Sequence, residues 1–97
     1  MKRFFISMPM RDKSEKQIKD RLEQVKRKIV DEYHDVEFID SYFPEDQQGS
    51  PVIMLGKSIM LMNGADAVYF CEGWESARGC RIEHEVAIAY VKECVYE

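Results

Sequence analysis

Ninety-seven residues with 45% hydrophobic content make one small domain spanning 1–97, because a chain of this size buries only about 60–70% of its unfolded surface. A formal charge of −4 argues against a nucleic-acid polymer as partner, which would need a basic patch. Cys71, Cys80 and Cys94 are odd in number and lack CxxC spacing, so reduced thiols in a cytoplasmic protein are expected. No apolar run approaches the ~20 residues of a membrane span, so no membrane partner is expected.

In chain order, residues 3–8 form an apolar run closed by Pro9, too short for a signal peptide, and read as the first strand. Ser14-Glu15-Lys16-Gln17 is a capping box, after which Ile18, Leu22, Val25, Ile29 and Tyr33 recur at helical spacing. Lys26-Arg27-Lys28 stands among acidic residues of that helix and reads as a solvated face. His34 falls in the turn after it, as a surface residue or C-terminal cap. Residues 36–40 read as the second strand, and the polar stretch 41–49, with Pro44 and Gly49, as a loop. Ser50 and Pro51 open a second helix that stops at Asn63-Gly64. Its Ile53, Met54, Leu55, Ile59, Met60, Leu61 and Met62 leave little polar surface. Cover by the sheet and by another subunit is expected, giving a homodimer or higher homo-oligomer. Residues 67–71 read as the third strand, 80–91 as the third helix and 93–96 as a last short strand. The order βαβαβαβ predicts an α/β fold: a small three-layer flavodoxin-like or Rossmann-like domain, with a four-stranded parallel sheet in the order 2-1-3-4.

Ligands of such sheets collect at the carboxyl ends of the strands. Those ends carry Ser7-Met8-Pro9-Met10-Arg11, Asp40-Ser41-Tyr42, and the run Gly73-Trp74-Glu75-Ser76-Ala77-Arg78-Gly79-Cys80-Arg81-Ile82-Glu83-His84-Glu85. The last run is a glycine-bearing loop leading into a helix, where amides can meet an anion or sugar oxygens. Glu83 is expected to project from the first helical turn into the same space.

The chain resembles the nucleoside 2-deoxyribosyltransferase-like superfamily, within it the small proteins often found in phages and gut bacteria. The resemblance covers nearly the whole length. It is carried by Ile6-Ser7-Met8-Pro9-Met10, by Ala65-Asp66-Ala67-Val68-Tyr69-Phe70, and most specifically by the run from Gly73 to Ala87. In that family a Gly four residues before a Glu, with a small residue four after it, marks the catalytic carboxylate. Gly79, Glu83 and Ala87 fit that spacing, so the resemblance makes Glu83 the nucleophile, with Glu85 the weaker candidate. It implies cleavage of the N-glycosidic bond of 2′-deoxynucleosides or deoxynucleotides, with the sugar passing to another base or to water. Glu83 would attack C1′ through an oxocarbenium-like transition state. Ser7, Met8, Ser58, Trp74 and Gly79 would line the substrate pocket, and neither a metal nor an organic cofactor is implied. The chain departs from the pattern twice. Ser58 stands where the enzymes carry an acid serving the leaving base, and Ala77 where the nucleotide-hydrolase branch carries a phosphate-binding Ser, although Ser76 is adjacent. Asp40 or Glu85 would be the compensating acid.

Blander readings stand beside these. Glu83 can serve only the helix dipole, and Asp66 can be a turn residue. Trp74 can be a pocket wall or an interface anchor. Arg78 and Arg81 oppose the helix dipole, so they are expected to meet an anion or to pair with Glu75, Glu83 or Glu85. Cys80 and His84 lie one turn apart but make a weak zinc signature without a second ligand pair. A non-catalytic nucleotide- or nucleoside-binding module using the same pocket is the competing function, and an interaction scaffold the third.

Overall fold

The computed structural model describes residues 1–42 and 50–97. The elements run β1 (Lys2–Ser7), α1 (Glu15–Tyr33), β2 (Val36–Ile39), α2 (Pro51–Met62), β3 (Ala67–Phe70), α3 (Arg78–Ala89) and β4 (Glu93–Tyr96), with a 3-10 turn at Trp74–Ser76. All strand pairs are parallel, in the order β2-β1-β3-β4. This is the α/β architecture and strand order that the alternation of elements predicts. Most of the loop expected over residues 41–49 lies outside the described residues.

The central strands β1 and β3 are apolar on both faces because helices cover both. Phe4, Ile6 and Met8 alternate with Phe5 and Ser7, and each set meets a different layer. Phe4, Ile6, Ala67, Tyr69 and Cys71 pack against Ile18, Val25 and Ile29 of α1. Phe5, Val68 and Phe70 pack against Met62 of α2 and Ala87 of α3 on the other face. The chain therefore winds to β2 over one face and to β3 and β4 over the other. That reversal places a crevice between the carboxyl ends of β1 and β3.

Local chemistry fixes the helix ends. Ser14 Oγ accepts from Gln17 N at 3.1 Å and Gln17 Oε1 accepts from Ser14 N at 2.8 Å, a complete capping box. His34 closes α1 at φ 67°, with its N–H bonded to Val30 O. Pro51 occupies the first position of α2, where its missing N–H costs nothing. On α2 only Met62 is buried, whereas Val52, Ile53 and Met60 are 76%, 61% and 76% exposed. Among the described residues no helix is long and apolar enough to cross a membrane.

Candidate active site

The crevice between β1 and β3 holds a carboxylate. Ser7 ends β1 and faces the α2–α3 layer; Glu83 lies on α3 beneath it. Ser7 Oγ donates to Glu83 Oε1 at 2.5 Å. Among the described residues these two are the buried polar side chains, Ser7 at 1% and Glu83 at 8% exposure. Ser58, from α2, lies on the side of Glu83 where its hydroxyl favours the ionised carboxyl. Three separate elements thus meet at one acid.

Burial disfavours the charged form of Glu83 and raises its pKa from 4.5 to about 7, although both serine hydroxyls act in the opposite direction. At neutral pH the group is close to half ionised. Cys80, one turn earlier on α3, lies near the Ser7 hydroxyl, and burial pushes its thiol up to about 11.

The helix begins earlier than its apolar pattern indicates. Ala77 is the N-cap and α3 starts at Arg78, which puts Glu83 in the second turn rather than the first. The first turn holds Arg78, Gly79 and Cys80, so Glu83 is directed at Ser7 by the helix face rather than by the helix terminus. Gly79 lies in that first turn, where a Cβ would meet nothing within 4 Å. Gly73 is different: at φ 91° it adopts the left-handed conformation that turns the chain out of β3 into Trp74.

Trp74 stands on the β4 side of α3. Its ring centroid lies 4.3 Å from His84, 5.3 Å from Phe70 and 5.8 Å from Tyr96, and His84 Nε2 is 2.7 Å from Tyr96 Oη. Consecutive helix positions diverge by about 100°, so Glu83 turns to Ser7 and Ser58 while His84 turns to the aromatic cluster. Met8 is buried with Ile6 and Ile18 in the α1 layer, away from the Ser7 side chain.

The other candidates resolve as follows. Asp40 lines a groove with Ile6, Leu22 and Tyr42 on the α1 face, and Glu85 lines a groove with Trp74 and Arg81 on the outer side of α3; neither groove includes Glu83. Asp66 accepts from Arg3 N at 2.8 Å at the amino end of the sheet. Arg81 donates to the main-chain oxygen of Glu75 at 3.1 Å rather than to a carboxylate.

Sequence reasoning missed the cluster of Glu97. Its carboxylate accepts from Arg21, from Lys28 at 2.7 Å and from Glu72 N at 2.7 Å, tying the end of the chain to α1. No periodic signal marks a lone Glu beyond a strand as the partner of two cations many residues away.

No family model, curated protein or solved structure matches this chain.

Proposed function

We propose that this protein cleaves the N-glycosidic bond of 2′-deoxynucleosides or deoxynucleotides, with Glu83 as the nucleophile. The observation that carries the reading is the placement of Glu83: a buried carboxylate at the topological switch point, hydrogen-bonded by Ser7 from β1. Ligands of open α/β sheets bind at that crevice, and a carboxylate there with a pKa near 7 fits functional chemistry better than structural support. The spacing Gly79, Glu83 and Ala87, by which the chain resembles the deoxyribosyltransferases, centres on the same residue.

The ionised Glu83 attacks C1′ as the bond from C1′ to the base nitrogen breaks, and the electron pair of that bond leaves with the base. A glycosyl ester forms on Glu83. Water or a second base then attacks C1′ and frees the carboxylate. The negative charge of Glu83 stabilises the oxocarbenium-like transition state most strongly because the site is dry. Partial protonation at neutral pH limits the fraction of protein that is reactive.

Quenching the protein during exposure to a deoxynucleoside, digesting it and weighing the peptides tests this step. A deoxyribosyl adduct on the Glu83 peptide supports the ester, and the same peptide without an adduct under conditions of turnover contradicts it.

Ser58 favours a second reading. Its hydroxyl occupies the position where the resembled enzymes place an acid for the leaving base, so the pocket would bind nucleosides or nucleotides without cleaving them. That reading calls for ligand-dependent thermal stabilisation of about RT ln(1 + [L]/Kd) with no base released. We also propose a homo-oligomer, on the strength of the exposed Val52, Ile53 and Met60 of α2.

A further inference from the structure

We propose that Arg21, Lys28 and the main-chain amide of Glu72 form a binding site for the phosphate group of a small phosphate monoester, which the Glu97 side chain occupies as a displaceable stand-in. The site is separate from Glu83. Its cations come from α1, whereas Glu83 belongs to the helical layer on the other face of the sheet.

The contacts describe an oxyanion site. Glu97 Oε1 accepts from the Arg21 guanidinium and from Glu72 N at 2.7 Å, and Glu97 Oε2 accepts from Lys28 Nζ at 2.7 Å. Donors from two distant parts of the chain thus converge on one carboxylate, whose side chain is only 10% exposed. Arg21 and Lys28 lie two turns apart on one side of α1. The Glu72 amide lies just beyond β3, at the edge of the sheet where ligands collect. Tyr96 turns to His84 on the α3 side, so the alternation of side chains along an extended chain turns Glu97 to α1.

The donors exceed what Glu97 can use. A guanidinium carries five N–H groups and an ammonium three, whereas a carboxylate offers two oxygens. Gln24 takes one Arg21 N–H at 3.0 Å. Two cations also face a single negative charge in direct contact. The Glu72 carboxylate acts on Arg21 through charge, but its side chain is exposed and screened by water. A phosphate monoester, with three terminal oxygens and a charge of about −1.5 to −2 at pH 7, matches both the donors and the charge better than a carboxylate does.

Displacement leaves the fold in place. Glu97 N donates to Phe70 O at 2.9 Å, which holds the main chain while the side chain swings out. Lys28 is 51% exposed and opens the site to solvent. As a tethered competitor, Glu97 acts at an effective concentration of millimolar order. It therefore sets a threshold that weakly bound anions do not cross.

The test follows the Glu72 amide resonance by NMR while inorganic phosphate is added to the full chain at constant ionic strength. Parent, Glu97→Ala, Glu97→Gln and the double variant Glu97→Ala with Arg21→Gln are compared, each checked for folding by circular dichroism. The expected result is a saturable shift in the parent, about tenfold tighter in Glu97→Ala and intermediate in Glu97→Gln, which loses the charge and keeps the bulk. The double variant should not saturate. Should Glu97→Ala not fold, Glu97→Gln against the parent carries the same comparison. A linear drift in Glu97→Ala means an adventitious ion only and overturns the proposal. So does a parent that never saturates, saturation that survives the loss of Arg21, or an equal response to acetate. None of these readouts involves Glu83, so a protein that binds phosphate as expected and releases no base counts against the glycosidase reading alone.

Discussion

Ser7 and Glu83 are 76 positions apart in the chain, and their side chains meet at 2.5 Å. The contact joins the end of a central strand to the second turn of α3, across the crevice created where the sheet reverses its winding. A serine closing the apolar run Phe4-Phe5-Ile6 of β1 is explained by this partner: it gives a buried carboxyl a hydrogen bond.

The cost of burying Glu83 is measurable. Its folded pKa of about 7 lies above the ordinary value of 4.5, so the folded state holds the proton more tightly than the unfolded chain. The resulting stabilisation is complete below pH 4.5 and is lost as pH rises through about 7. Glu83→Gln removes the titration, and is expected to exceed the parent in stability by about 1–3 kcal/mol at pH 8 while nearly matching it at pH 4. Urea denaturation at the two pH values measures the difference.

The same ionisation sets the direction of the rate profile. A nucleophile must be deprotonated, so kcat/KM for base release should rise with pH and level off above about 7. A profile that falls over this range would make Glu83 a proton donor instead.

Glu97 is expected to govern acid stability. Burial alone would raise its pKa, but the Arg21 guanidinium, the Glu72 amide and the Lys28 ammonium outweigh burial and hold it at about 2. Its pKa is thus depressed on folding, so its contribution is present above 4.5 and lost as pH falls towards about 2. Glu97→Gln should cost about 1–2 kcal/mol at pH 7 and little at pH 2, read from denaturation midpoints at the two pH values.

Gly73→Ala probes the turn that sets Trp74. The added Cβ meets Pro9 Cγ only at an ordinary 3.7 Å, so the penalty is the backbone at φ 91°, about 1–2 kcal/mol. Thermal unfolding gives the loss, and Trp74 fluorescence reports whether the aromatic cluster is disturbed.

The exposed face of α2 makes a prediction about assembly. Sedimentation of the parent should give a dimer or larger species, and Val52→Lys with Met60→Lys should give a monomer of unchanged circular dichroism. A monomeric parent would contradict the proposed oligomer.

Signals that act within a few residues were legible in the sequence. The Ser14 box, the Ser50-Pro51 start and the alternation of strands and helices indicated the four strands and three α-helices of the described residues and, with the right-handed crossover rule, their order, but not the 3-10 turn at Trp74–Ser76. The motif spacing singled out Glu83, and Ser7 was read as part of the same edge. The start of α3 was misplaced because Gly79 and the two arginines hide a helical turn from a pattern based on apolar spacing. Trp74 was grouped with Glu83 because both follow β3. Tyr96, from β4, helps hold it elsewhere, and that pairing is not local.

The most direct test of the central claim is release of free base from a panel of deoxynucleosides and deoxynucleoside monophosphates, measured for the parent and for Glu83→Gln. The account predicts release by the parent from at least one member of the panel, and none by Glu83→Gln although the variant still binds that compound. No release from any member, at protein concentrations where a few turnovers are visible, would contradict it, as would undiminished release by Glu83→Gln.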